Sequence, residues 1–108
     1  MNQIFKLCMA ALLVINSSFA GTSNGVVTRI SNIDSGIFVF EAGTMNSRIG
    51  CSVVGNEWAI DVNTAAGRAM QATVMLAYSM GKTIYVQGKG ACTAWSDRES
   101  AAIVITQN

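Results

Sequence analysis

Histidine is absent from the 108-residue sequence, which removes the commonest catalytic base and the commonest metal ligand of proteins. Without it no Ser–His or Cys–His nucleophile arrangement can form. Paired carboxylates are the remaining option, but Glu57 and Asp61 would lie about 13 Å apart on a strand that rises about 3.3 Å per residue. Inverting glycosidases hold their carboxyl groups only about 6.5–9.5 Å apart. We therefore expect a protein that is not an enzyme and has no metal or cofactor.

Charged residues are also few, at 12% of the chain, with seven basic and six acidic side chains that are scattered along it. Nucleic acids and anionic lipid surfaces are bound through clustered basic side chains. No apolar run reaches the roughly 20 residues that a membrane-spanning helix needs. The sequence therefore predicts neither a nucleic-acid partner nor a membrane span.

The first twenty residues have the pattern of a secretory signal peptide. Lys6 precedes an apolar run over residues 7–15, and Ser18 and Ala20 place small side chains at the minus-three and minus-one positions of a cleavage site. We expect residues 1–20 to be removed and residues 21–108 to form a single domain. The product would be exported, either to the periplasm or out of the cell.

Only two cysteines would remain after this cleavage, because Cys8 lies within the signal peptide. Cys51 and Cys92 would meet an oxidising compartment, where they are expected to form a disulfide. Closing a loop of about 40 residues contributes about 4 kcal/mol on the chain-entropy model. Such a bridge is useful in a small domain, whose core alone is only marginally stabilising.

Short β-branched and aromatic segments punctuated by glycine predict a mostly β protein with one helix. Three- and four-residue spacing of apolar side chains predicts that helix between a cap at Asn63 or Thr64 and a stop at Gly81. Segments 25–33 and 36–42 are expected to form a hairpin. Segment 45–54 is expected to form an irregular strand that resumes over 57–62, and segments 82–87 and 100–106 are expected to form the last two strands. This order predicts a five-stranded OB-fold barrel that is capped by an α-helix between strands 3 and 4.

Several of these segments resemble the B subunits of bacterial pentameric toxins. The resemblance to Shiga-type B subunits lies in Gly25-Val26, Phe38-Val39-Phe40, Asn56-x-Trp58, Leu76-Ala77-x-x-x-Gly81, Thr83-Ile84-x-Val86, Cys92 and Glu99. The segments Cys92-Thr93-Ala94-Trp95 and Ala101-Ala102-Ile103 and the terminal Asn108 are similar to the last strands of cholera-type B subunits, and chain size and cysteine use resemble the subtilase cytotoxin B subunit.

This resemblance implies an OB-fold, assembly into a ring pentamer, binding of a cell-surface glycan and association with an enzymatic A chain. The chain departs from the Shiga-type pattern in a longer segment between Trp58 and Leu76 and in the position of its disulfide. It departs from the cholera-type pattern in having one more residue between Cys92 and Trp95.

Trp95 is the first candidate for a sugar contact, because sugars stack their C–H faces on tryptophan while polar groups bind the hydroxyls. Ser96 and Asp97 follow it directly, and the resemblance to cholera-type subunits places Trp95 near their galactose-stacking tryptophan. The alternative is that Trp95 folds over the disulfide to cover a thin core. Arg98, flanked by Asp97 and Glu99, is expected to form a solvated ion-pair loop.

Three further ligand contacts are suggested by the resemblance. Trp58 falls where Shiga-type subunits carry a receptor-facing tryptophan, and Glu57 could accept hydrogen bonds beside it. The alternative for Trp58 is a core position, because Trp58 and Ile60 alternate with polar or small residues as in a half-buried strand. Asn24 falls where the subtilase-type subunit has a polar sugar contact, and the alternative is an exposed N-terminal arm.

The helix is built from small and flexible side chains and has apolar residues on more than one face. This composition fits a contact between copies of the chain, with methionine adapting to an irregular surface, as well as simple packing on the chain's own barrel. Two functions therefore remain from the sequence. One is glycan recognition by an exported module, and the alternative is a small periplasmic structural or accessory protein without sugar binding.

Overall fold

A computed structural model describes residues 20–107, which form five strands and one helix. The predicted signal peptide, apart from Ala20, lies outside the described residues, as does Asn108. The elements in chain order are β1 (Thr22–Ile33), β2 (Ile37–Ala42), β3 (Glu57–Asp61), α1 (Ala65–Met80), β4 (Thr83–Gly88) and β5 (Glu99–Gln107). The predicted mostly β architecture, with one helix between the third and fourth strands, is confirmed.

The five strands close into a ring in the hydrogen-bonded order β1-β2-β3-β5-β4. Strand β1 takes part twice, because its first half pairs with β4 and its second half pairs with β2, with a register shift between Val27 and Arg29. All pairings are antiparallel except that of β3 with β5, which joins Trp58 to Glu99 and Ala59 to Ser100. The β1–β2 hairpin has the predicted turn over residues 34–36.

Alternation along the strands separates an inner from an outer face of the ring. In β2 and β3 the inner positions are taken by Phe38, Phe40, Trp58 and Ile60, each at most 1% exposed. The helix adds Val74 and Ala77 to the same core, which also holds Ile84 and Val86 of β4. One continuous apolar cluster therefore joins the helix to the strands of the ring.

The helix begins and ends at the predicted signals. The Thr64 hydroxyl oxygen accepts the Gly67 backbone N–H at 2.9 Å, and Gly81 ends the helix with a φ of 65°. A side chain at Gly67 would place its Cβ 1.8 Å from the Asp61 carbonyl oxygen, so glycine allows the first turn to pack against the end of β3. Within residues 20–107 no helix is long and apolar enough to cross a membrane.

The predicted irregular strand over residues 45–54 is wrong. Apart from one isolated bridge between Thr22 and Asn46, this segment is a loop of bends and turns. Some of its backbone groups bond locally, with Ser52 N–H donating to the Ile49 carbonyl and Met45 N–H to the Asn56 side chain. Gly43 and Gly55, with φ values of 76° and 50°, let the chain turn on either side of this segment.

The predicted disulfide between Cys51 and Cys92 is confirmed, with a Cα–Cα distance of 6.2 Å. It joins the loop between β2 and β3 to the loop between β4 and β5. Because neither cysteine lies in a strand, the bridge constrains two loops that the ring itself does not hold.

Candidate functional site

The loop over residues 89–98, which we name the Trp95 loop, crosses the outer face of β2 and β3. Trp95 and Ala94 are half-buried and pack against Ile37, Val39 and Ala59. These three side chains point outward because their strand neighbours fill the core. The apolar surface that Trp95 covers is therefore the outside of the sheet, and Trp95 itself stays partly exposed.

Residues 95–98 form a tight turn whose two central residues are Ser96 and Asp97. The Arg98 backbone N–H donates to the Trp95 carbonyl at 3.4 Å, closing the turn. Ser96 is exposed, and the Asp97 side chain is 39% exposed. The turn therefore presents a hydroxyl and a carboxylate next to an aromatic ring.

Arg98 fixes this turn to β3 through charge. Its Nε lies 2.9 Å from Glu57 Oε1, and its Nη1 lies 2.6 Å from Asp97 Oδ1. The Glu57 side chain is only 9% exposed, and Arg29 adds a second, more distant cation at 3.7 Å. Burial lowers the pKa of Arg98, but the hydrogen bond and charge of Glu57, together with Asp97, outweigh it and raise the pKa above its ordinary value. The guanidinium therefore stays charged and holds the turn in place.

Backbone hydrogen bonds and the disulfide hold the Trp95 loop from both sides. The Val53 N–H, two residues after Cys51, donates to the Asp97 carbonyl at 3.0 Å. The Ser100 hydroxyl oxygen accepts the backbone N–H groups of Thr93 and Ala94 at 3.1 and 2.9 Å. A loop with this many fixed points is preorganised, so a ligand would not have to order it on binding.

A cleft of about 180 Å³ opens beside the loop, between the start of the helix and the start of β5. This volume is below the roughly 300–1,000 Å³ of sites for drug-sized ligands, so the cleft suits a small polar group. The polar residues that line it are Asp61, Thr64, Lys89, Thr93 and Ser100. Ala94 lines the cleft and packs against the same outer cluster as Trp95, so the two features adjoin.

The structure brings together four of the six predicted ligand contacts. Trp95, Ser96 and Asp97 share one turn, and Glu57 reaches it through Arg98. Glu57 is buried and already accepts from Arg98, so its role in the site is to anchor the turn. That role could not be predicted from sequence, because residues 57 and 98 are 41 positions apart.

The other two predicted contacts lie elsewhere. Trp58 is 0% exposed, and its indole N–H donates to the Ser23 hydroxyl at 2.9 Å, so the core alternative describes it. Asn24 is exposed but lies within β1, where it pairs with Tyr85 of β4, and is not part of a terminal arm. Neither residue belongs to the Trp95 loop.

The expectation of a solvated ion-pair loop around Arg98 is wrong for Glu99. This residue is 0% exposed and accepts hydrogen bonds from the backbone of Gly21 and Gly90. Arg98 is partly exposed and Glu99 is buried, because β5 begins at Glu99 and the Glu99 side chain points inward.

Comparisons with protein-family models, with curated proteins and with solved structures gave no match. Among residues 20–107, no group of three histidine, cysteine or acidic side chains is placed to hold a metal ion. A function for this chain is therefore inferred from the side chains around Trp95.

Proposed function

We propose that this protein is an exported, non-catalytic OB-fold module that recognises a glycan through its Trp95 loop. The strand order β1-β2-β3-β5-β4, with parallel β3 and β5 and a helix between β3 and β4, supports the OB-fold assignment. The disulfide supports export, because such bonds persist in oxidising compartments. Both the periplasm and the cell exterior fit it.

The observation that carries the proposal is the partly exposed Trp95 beside Ser96 and Asp97, on a loop that hydrogen bonds, an ion pair and the disulfide hold in place. A tryptophan face binds the C–H groups of a pyranose, while a hydroxyl and a carboxylate bind its rim of hydroxyl groups. Asp97 keeps a second carboxylate oxygen for a ligand, since Oδ1 is the atom that Arg98 contacts. The adjoining cleft is sized for a substituent of such a sugar.

The alternative is an accessory protein without sugar binding, and one observation favours it. Trp95 also covers Ile37, Val39 and Ala59, so packing alone explains a tryptophan at this position without a ligand. Under this alternative, Trp95 serves the stability of the outer sheet face alone.

We propose further that copies of the chain assemble side by side. The helix leaves Leu76 and Met80 at 56% and 58% exposed, and β5 leaves Ile103 and Ile105 at 43% and 49%. An apolar recess of about 240 Å³ is lined by Leu76, Ala77, Met80, Lys82 and Thr106. From Ala101 onward β5 pairs with β4 alone among the described residues, so its other edge offers backbone groups to a second copy.

A ring pentamer associated with an enzymatic A chain is the assembly that the toxin resemblance implies. A contact between the β5 edge of one copy and the helix face of the next is head-to-tail, and such contacts form a closed ring when the rotation between copies closes. An A chain would be encoded next to this protein, so inspection of the flanking genes tests that partner. The absence of such a gene would leave glycan binding to be tested separately.

The binding test is a glycan array with the processed protein, followed by titration calorimetry on each sugar that binds. Trp95→Ala should abolish binding, and Trp95→Phe should restore a measurable part of it, because phenylalanine keeps an aromatic face. Circular dichroism should show both variants folded. If the array is blank, or if Trp95→Ala binds as tightly as the parent protein, glycan recognition by this loop is wrong.

A further inference from the structure

A buried carboxylate lies at the start of β5 without a basic side chain to neutralise it. Glu99 is 0% exposed, and among residues 20–107 it takes part in no ion pair with lysine or arginine. Its two oxygens lie 3.1 Å from the Gly21 backbone nitrogen, and Oε2 also accepts the Gly90 N–H at 2.9 Å. Burying an anion is costly unless a charge or several hydrogen bonds compensate it.

The pocket around this carboxylate is closely built and requires glycine. A Cβ at Gly88 would lie 1.8 Å from Glu99 Oε2, and a Cβ at Gly21 would lie 2.7 Å from Oε1. The Gly88 N–H donates to the Gly21 carbonyl at 2.9 Å, which holds the start of the chain in this pocket. The nitrogen of Gly21 is therefore fixed against both oxygens by the strands around it.

Gly21 is also the residue that follows the predicted cleavage site. Hydrolysis of the Ala20–Gly21 peptide bond by a signal peptidase adds the hydroxyl of water to the Ala20 carbonyl carbon and breaks the C–N bond. The nitrogen leaves as an amine, which takes up a proton at neutral pH because an α-amine has an ordinary pKa of about 7.7–8.0. The new positive charge would appear on the very nitrogen that already faces Glu99.

We propose that processing at Ala20 creates a buried ion pair between the α-ammonium group of Gly21 and the Glu99 carboxylate, and that this pair completes the fold. Unprocessed chain supplies one N–H to both oxygens, whereas the ammonium supplies three and a compensating charge. Cleavage would thus make the exported protein more stable than its precursor. The inference rests on export and processing, but not on sugar binding.

The first test compares two proteins in denaturant titrations. One is the processed protein beginning at Gly21, confirmed by N-terminal sequencing, and the other carries one extra alanine before Gly21. The extension keeps an amide N–H at Gly21 and moves the charge away, so its unfolding equilibrium constant should be at least about tenfold larger. With Glu99→Gln in both proteins, this difference should vanish. An equal stability of the two starts, or a difference that survives Glu99→Gln, overturns the proposal.

The second test does not depend on whether Glu99→Gln folds. The processed protein has three primary amines, at Gly21, Lys82 and Lys89, since Lys6 is removed. An α-amine ordinarily has a lower pKa than a lysine side chain, so at pH 7 an amine-reactive ester labels it first in an unfolded chain. In the folded protein the exposed Lys89 should be labelled before Gly21, and denaturation should reverse the order. Labelling of Gly21 first in the folded protein, or an N-terminus at another residue, overturns the proposal.

Discussion

Replacing Arg98 with methionine should loosen the turn over residues 95–98 in the Trp95 loop while leaving the ring of strands intact. The substitution keeps much of the side-chain stem but removes the guanidinium that lies 2.9 Å from Glu57 and 2.6 Å from Asp97. Glu57 would then keep only Arg29, whose nitrogen is 3.7 Å away and whose side chain is 64% exposed. A largely buried carboxylate would thus lose its close partner.

The expected cost lies between two limits. Exposed ion pairs contribute about 0–1 kcal/mol, and breaking a fully buried pair costs about 3–5 kcal/mol. The Arg98 side chain is 18% exposed and Arg29 compensates in part, so we expect a loss of about 2 kcal/mol in the free energy of unfolding. Glu57→Gln removes the same charge pair from the other side.

The assay is urea denaturation of the parent protein, both single variants and the double variant. The two changes should be non-additive by about 1 kcal/mol or more, because they remove one shared interaction. Ser96→Ala is the matched control, since it alters the same turn at an exposed position and should change stability by less than about 0.5 kcal/mol. Additive losses, or an unchanged stability of Arg98→Met, would refute the role of this ion pair.

Three further changes probe the disulfide, the buried glycine pocket and the proposed contact between copies. Cys92→Ser should lower the free energy of unfolding, measured by denaturant titration, by about 4 kcal/mol, because 41 positions separate the bridged cysteines. A loss below about 1 kcal/mol would contradict this. Gly88→Ala should lower the free energy of unfolding by at least about 2 kcal/mol in thermal unfolding, since its Cβ would lie 1.8 Å from Glu99 Oε2. Gly50→Ala is the control and should be nearly neutral, because a Cβ at Gly50 has no atom within 4 Å. Equal effects of the two changes would count against the pocket. Ile105→Lys should dissociate the assembly in light scattering without unfolding it, and a parent protein that is already monomeric at tens of micromolar would rule the assembly out.

The parts of the fold with local signals were predictable from sequence. Thr64 and Gly81 act on their own helix ends. In β3 the alternation of Trp58 and Ile60 with polar or small residues marks the inner face, whereas β2 is apolar on both faces. The apolar residues of segment 45–54 resemble those of a strand, but its backbone bonds to the Asn56 side chain, to the Ile49 carbonyl and to the distant Asp97 carbonyl instead of joining the ring.

The candidate site was predictable only in part. The stretch from Trp95 to Asp97 is contiguous, so its chemistry can be recognised in the sequence. The anchoring of that stretch by Glu57 depends on a contact 41 residues distant, and the burial of Glu99 depends on a backbone nitrogen 78 residues away. Such long-range contacts arise from closure of the ring, and no local pattern of charge reveals them.

The two tryptophans allow the most direct test of the proposed site, because each contributes one indole N–H signal to a ¹⁵N–¹H NMR spectrum. The processed protein would be titrated with the best sugar from the array. The Trp95 indole signal and the amides of Ser96 and Asp97 should shift with saturation, while the Trp58 indole, buried and bonded to Ser23, should stay in place. A sugar that binds without moving the Trp95 signal would contradict recognition by the Trp95 loop.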